Sequence, residues 1–174
     1  MRIGIPFLLL ALLGCVHTYE VLPSGPSAQA SRISSGSSIL VGVPRDGRYG
    51  DQVYVGSGQM TTQAIVAAIS AHARVVRGAH DVLSLEENLV VARNEKLQYL
   101  IYPRILHWED RATEWSGIPD RILIRLDLAQ VSTGAIVNST TISGKSRWAT
   151  FGGDHPQDLL PEPLRRWAEL LFAP

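Results

Sequence analysis

The sequence predicts an α/β (α+β) domain on a single mixed sheet of about four to five strands with three helices, in the order β-α-β-α-β-β-β-α. Three observations carry that expectation. Residues 121–131, RILIRLDLAQV, alternate apolar and polar as a half-buried strand requires. Ser132-Thr133-Gly134 follows as a hairpin loop, and a second strand-like run returns after it. Elsewhere apolar residues recur at spacings of three and four in three separate stretches, as helix faces do.

Taken in order, Ile39-Leu40-Val41-Gly42-Val43 reads as a short buried strand stopped by Pro44, with a polar loop through Gly50. A helix is expected from about Gln59 to Ala73, placing Ile65, Ala68, Ile69 and His72 on one face. Arg74 to Arg77 is a second short strand. Ser84 and Glu87 have capping-box spacing for a helix running to about Asn94, with Leu85, Leu89 and Ala92 inward. Leu97 to Trp108 supplies a long strand. In the alternating strand Ile122, Ile124, Leu126 and Leu128 face the core, while Arg121, Arg125 and Asp127 face out. Ala135 to Ser143 pairs back against it as a half-exposed edge carrying Ser139, Thr140 and Thr141. A last helix from about Asp158 to Phe172 shows the stripe Leu160, Leu164, Trp167 and Leu171, with Pro161 and Pro163 tolerated in its first turn. The helices are expected largely on one face of the sheet.

At 174 residues there is room for one ordinary domain and a targeting segment. The hydrophobic share of 45% against 18% charged residues is that of a chain with a packed core. Sixteen basic and 16 acidic residues cancel, so there is no broad positive field to hold a polyanion, and nucleic acid is disfavoured as a partner.

The N-terminus carries the most specific signal. Residues 1–15 read MRIGIPFLLLALLGC: Arg2, an apolar run from Ile3 to Leu13, then Gly14 and the only cysteine. That run is too short to span a bilayer and reads as a secretory leader. Its ending, Leu12-Leu13-Gly14-Cys15, resembles the bacterial lipobox, which implies a diacylglycerol thioether on Cys15 and cleavage just before it. An ordinary cleaved leader with a free thiol, or a buried N-terminal helix, are the alternatives. Acylation suits the composition, because a lone thiol has no intramolecular disulfide partner. Several acyl chains would hold the protein to a membrane, tethered without spanning it. Val16 follows the cysteine where inner-membrane retention typically resembles Cys-Asp, so outer-membrane attachment facing the periplasm is expected. Residues 1–14 are then a signal peptide, 15–37 a Ser/Gly/Pro-rich flexible tether, and 38–174 a periplasmic α/β domain.

Two loops concentrate reactive and aromatic side chains. One holds His107, Trp108, Glu109, Asp110, Arg111, Glu114 and Trp115; the other holds Trp148, Phe151, Gly152, Gly153, Asp154 and His155. Trp108, Trp115, Trp148, Phe151, Asp154 and His155 are the candidate partner-binding residues, since aromatics dominate interface energetics. The expected partner is an envelope protein or glycan, met by these loops or by the sheet edge near residues 135–143. His107 and Glu109 can share a side of a strand, but no second histidine completes a zinc set. No catalytic residue, metal or cofactor is therefore assigned. An envelope hydrolase or metal-dependent enzyme using His107, Glu109, Asp154 and His155 is the alternative, and it requires the two loops to converge. Gly56-Ser57-Gly58 lacks the GK[ST] ending of a phosphate loop and reads as a tight turn. His72 reads as a hydrogen-bonded core imidazole.

The runs YLIYPRILHWEDRATEWSGIPD and ISGKSRWATFGGDHPQDLLPEPL resemble an uncharacterised family of proteobacterial lipoproteins, a domain of unknown function, over about residues 38–174. The resemblance implies an envelope lipoprotein and lends no activity. The element order also looks like the N-terminal domain of TolB and the curli secretion lipoprotein CsgG. By that analogy the chain is a non-catalytic partner-binding or assembly module, or a ring-forming secretion lipoprotein, so an oligomer is admitted.

Overall fold

A computed structural model describes residues 17–24, 32–110, 118–146 and 155–172. Its strands are β1 (Thr18–Pro23), β2 (Ser38–Val41), β3 (Arg48–Tyr49), β4 (Gln52–Val53), β5 (Val75–Gly78), β6 (Tyr99–Glu109), β7 (Arg121–Gln130) and β8 (Ile136–Lys145). The helices are α1 (Ser57–Ile69), α2 (Leu85–Asn94) and α3 (Pro161–Leu171), the last preceded by a 3₁₀ turn at Pro156–Leu159. Six strands form one mixed sheet in the order β1-β8-β7-β6-β2-β5, and β3 and β4 form a separate two-stranded ribbon. β2 is parallel to β5 and β6, and every other pairing in the sheet is antiparallel.

The predicted strands and helices are present, with two additions. One is the β3–β4 ribbon. The other is β1, which lies inside the segment expected to be a flexible tether and pairs with β8 from Thr18↔Lys145 to Pro23↔Thr140. The run around residues 135–143 is therefore an inner strand, and the docking edge proposed for it is already occupied by this chain. Downstream of β1, Ile33 is also buried, and its N–H donates to the Leu171 carbonyl of α3 at 3.0 Å.

Period-two alternation gives each strand two faces, and the sheet uses both. Ile39, Val41, Ile101, Ile122, Ile124, Leu126 and Leu128 are sealed under α1 and α3, against Ile65, Ile69, Leu164 and Trp167. Leu40, Leu100 and Ala129 on the reverse face meet Leu89 and Ala92 of α2. Two helices thus share one face as expected, and the third lies on the other.

Local chemistry sets the helix ends. The capping box is formed: the Ser84 hydroxyl accepts from Glu87 N–H at 3.2 Å, and the Glu87 carboxylate accepts from Ser84 N–H at 2.8 Å. α1 starts two residues earlier than expected, after Gly56 in a left-handed conformation at φ 90°. It also ends earlier, so His72 lies beyond it and stacks on Phe172 with centroids 5.4 Å apart. α3 buries the predicted stripe of Leu164, Trp167 and Leu171.

Candidate functional site

The reverse face of the sheet carries a buried apolar cluster where α2 covers it. Further along β6, β7, β8 and β1, the cross-strand register assembles Arg104, His107, Glu109, Arg121, Leu123, Arg125, Asp127, Ser139, Thr141, Ser143, Lys145 and Glu20 on one polar surface. Register explains the grouping: Tyr102↔Asp127↔Ser139, Arg104↔Arg125↔Thr141, His107↔Leu123↔Ser143 and Glu109↔Arg121↔Lys145 are successive cross-strand rows on this face.

Asp127 is the centre of this surface. It was expected to point away from the apolar core, which it does, but it is only 2% exposed. Arg104 Nη2 donates to its Oδ2 at 2.6 Å, Arg125 Nε donates to its Oδ1 at 2.9 Å, and the Ser139 hydroxyl donates to the same Oδ1. Burial alone would raise this carboxyl. The donors from Ser139, Arg125 and Arg104 outweigh that and hold it below the usual aspartate range. Charge-assisted bonds of this kind fix both partners in place. Arg104 and Arg125 would otherwise repel each other as directly opposed like charges.

At the far end of β6 a β-bulge between Ile105 and His107 shifts the register. The shift turns Trp108 onto the α1/α3 side, where it is 2% exposed, and leaves Leu106 on the surface at 52%. Gly47 makes this seat possible, because a Cβ there would stand 2.4 Å from the Trp108 Cβ. His107 Nε2 meets Glu109 Oε2 at 2.9 Å, and its ring packs edge-on against Tyr49 at 5.4 Å. The expectation that these two side chains share a side is met. Below them lies an open cavity of about 580 Å³ edged by His107, Leu123, Arg121 and Lys145. Neither the Arg121 nor the Lys145 side chain makes a hydrogen bond or ion pair among the described residues.

Of the candidate partner-binding residues, Trp108 is a core side chain and no surface anchor, which corrects that assignment. His155 is exposed, with Nδ1 3.6 Å from Asp110 Oδ2, so the end of the second loop does reach the end of β6. Cys15, Trp115, Trp148, Phe151 and Asp154 lie outside the described residues, as do Arg111 and Glu114. Among the described residues no group of three or more His, Cys, Asp or Glu side chains is arranged to hold a metal ion. Of Gly56-Ser57-Gly58, only Gly56 lies in a turn, and Ser57 and Gly58 open α1; Gly58 N–H donates to Asp46 Oδ1 at 2.9 Å, so an internal carboxylate sits where a bound anion would. No described helix is long and apolar enough to cross a membrane. The Asp127 network was missed from sequence, although Arg125-Leu126-Asp127 places two opposite charges on one side of a strand.

These features define an α+β domain, built on one six-stranded mixed sheet with a small two-stranded ribbon, that presents a fixed-charge polar face beside an apolar core. The chain belongs to the DUF4823 family, a domain of unknown function, with the match spanning residues 31–171. No curated protein matches it. Among solved structures it is similar to the PelC dodecamer from Paraburkholderia phytofirmans, with a TM-score of 0.64 and 18% identity over 91% of this chain and 100% of that chain. A second dodecamer structure of that protein gives a TM-score of 0.65 at 16% identity, over 90% and 99% of the two chains. Protein XCC0632 from Xanthomonas campestris, of the DUF330 family, gives 0.51 at 14% identity over 88% and 91%. At these identities the likeness is one of fold. The resemblance to TolB and CsgG is not shown by these comparisons.

Proposed function

We propose that this chain is an outer-membrane lipoprotein, acylated at Cys15 and facing the periplasm, whose domain is a non-catalytic docking module of the cell envelope. The occupant of its open sheet face is an envelope protein with an acidic docking segment. The observation that carries this reading is the saturation of Asp127: three donors hold it ionised, so it serves as a fixed charge and is ill-suited to exchange protons near neutrality. Around that fixed centre, Arg121 and Lys145 offer unspent positive charge, and Leu106 and Leu22 offer exposed apolar contact. Opposite charges across an interface set orientation and encounter rate.

Photo-crosslinkers placed at Leu106 and Leu123 in living cells are expected to trap a discrete protein adduct, while one at Val90 on α2 gives none. Equal labelling from all three positions, or none from any, contradicts the docking face. Intact mass of the native product should show an acylated Cys15; an unmodified thiol with the leader attached contradicts the anchor.

A second reading is favoured by the fold-level likeness to a dodecameric protein: copies of this chain assemble into a ring. β5 is the outer strand opposite β1, and among the described residues its outer edge pairs with no strand, so a neighbouring copy can add there. Native mass measurement in detergent separates the two readings, a strict monomer excluding the ring. The enzyme alternative built on His107, Glu109, Asp154 and His155 retains the 2.9 Å His107–Glu109 pair as its positive feature.

A further inference from the structure

We infer a second site on this protein, adjoining the open face along Arg104 and Leu106: an anion-binding crevice at the carboxyl ends of the parallel strands, suited to a phosphate group. The topology places it. β2 lies between β5 and β6 and is parallel to both; the chain leaves β2 through α1 to β5 on one side and returns through α2 to β6 on the other. The connection leaving β2 runs into α1 on one face and that leaving its neighbour β5 runs into α2 on the other. Where adjacent parallel strands send their connections to opposite faces, a crevice opens beyond their carboxyl ends, and open α/β sheets take ligands there. A cavity of about 750 Å³ occupies that position, walled by the chain after β2, the segment entering α2, and β6 from Tyr102 to Leu106.

The charges around this cavity are Arg45, Arg48, Arg104, Asp46 and Glu87. Both carboxylates are spent on helix starts. Asp46 Oδ1 accepts from Gly58 N–H of α1 at 2.9 Å, and Glu87 Oε2 accepts from Ser84 N–H at the start of α2 at 2.8 Å. The positive end of each helix offsets the carboxylate seated on it. Arg104 is committed to Asp127. The Arg45 and Arg48 side chains are exposed and make no hydrogen bond or ion pair among the described residues. The crevice therefore keeps two free guanidinium forks, the group whose planar donor array fits a phosphate best. A phosphodiester lipid headgroup and free phosphate share that chemistry.

The test uses the full chain in neutral detergent, titrated separately with inorganic phosphate and with glycerophosphoglycerol, the soluble headgroup of phosphatidylglycerol, while the arginine Nε–H resonances are followed by NMR. Saturable shifts at Arg45 and Arg48 are expected with at least one probe, and the better probe identifies the source. The double variant Arg45→Gln/Arg48→Gln should bind that probe at least ~10-fold more weakly, with unchanged thermal unfolding. Arg121→Gln/Lys145→Gln removes the same charge from the open face and should leave the affinity within about twofold. Absence of saturable binding to either probe, or equal loss in the two double variants, overturns the site.

Discussion

One strand, β7, faces two different environments. On one side Ile122, Ile124, Leu126 and Leu128 are buried under α1 and α3. On the other, Leu123, Arg125 and Asp127 belong to neither apolar cluster, yet Asp127 is as inaccessible as Leu128, both at 2%. The first side is stabilised by apolar area removed from water, which is non-directional and tolerates swaps that conserve volume. The second is held by a carboxylate whose burial costs energy until directional donors offset it. The two faces of the sheet are therefore held in different ways: shape fixes the covered face, and charge geometry fixes the open one.

The largest effect is expected at Trp108, which the bulge turns from the open side to the covered one. Trp108→Ala should destabilise the chain by about 3–5 kcal/mol in urea unfolding, as core aromatics do. A small stability change with lost partner adducts would instead make Trp108 a surface anchor. Next comes Asp127→Ala, expected to cost about 1–3 kcal/mol because it removes a buried acceptor but leaves two arginines able to reach water. The pH dependence of that contribution has a definite sign. A carboxyl depressed in the folded state stabilises fully above its unfolded value, and the stabilisation is lost as pH falls through the ordinary aspartate range and below it. Wild type should therefore lose stability more steeply on acidification than the Asp127→Ala variant. Ser84→Ala, on α2 and away from both faces of β7, should cost about 1 kcal/mol through the lost cap. Arg121→Gln/Lys145→Gln is expected to change stability by no more than about 0.5 kcal/mol while abolishing the crosslinks from Leu106 and Leu123.

Much of the fold was legible because its signals are local. The alternation of residues 121–131, the Ser84/Glu87 spacing and the stripe of α3 each need only neighbours in sequence. β1 was not legible: TYEVLP is six residues beside a Ser- and Gly-rich run, and its partners in β8 lie more than a hundred residues away. Trp108 was misplaced for a different reason. In sequence it groups with the loop aromatics as a candidate anchor, and the bulge after Ile105 that turns it inward is set by tertiary pairing, which spacing along one strand does not show. At the site, alternation assigned Asp127 to the correct side. Its burial depends on Arg104 and Ser139, brought from two other strands by the register, so spacing along one strand could not show it.

The most direct measurement is the titration of the Asp127 carboxyl carbon by NMR in the full chain, in detergent, from neutral pH downward. The account predicts a midpoint below the usual aspartate range, moved upward in Arg104→Gln. A midpoint near neutrality would contradict the fixed charge on which the docking face rests, and would return this surface to acid–base chemistry.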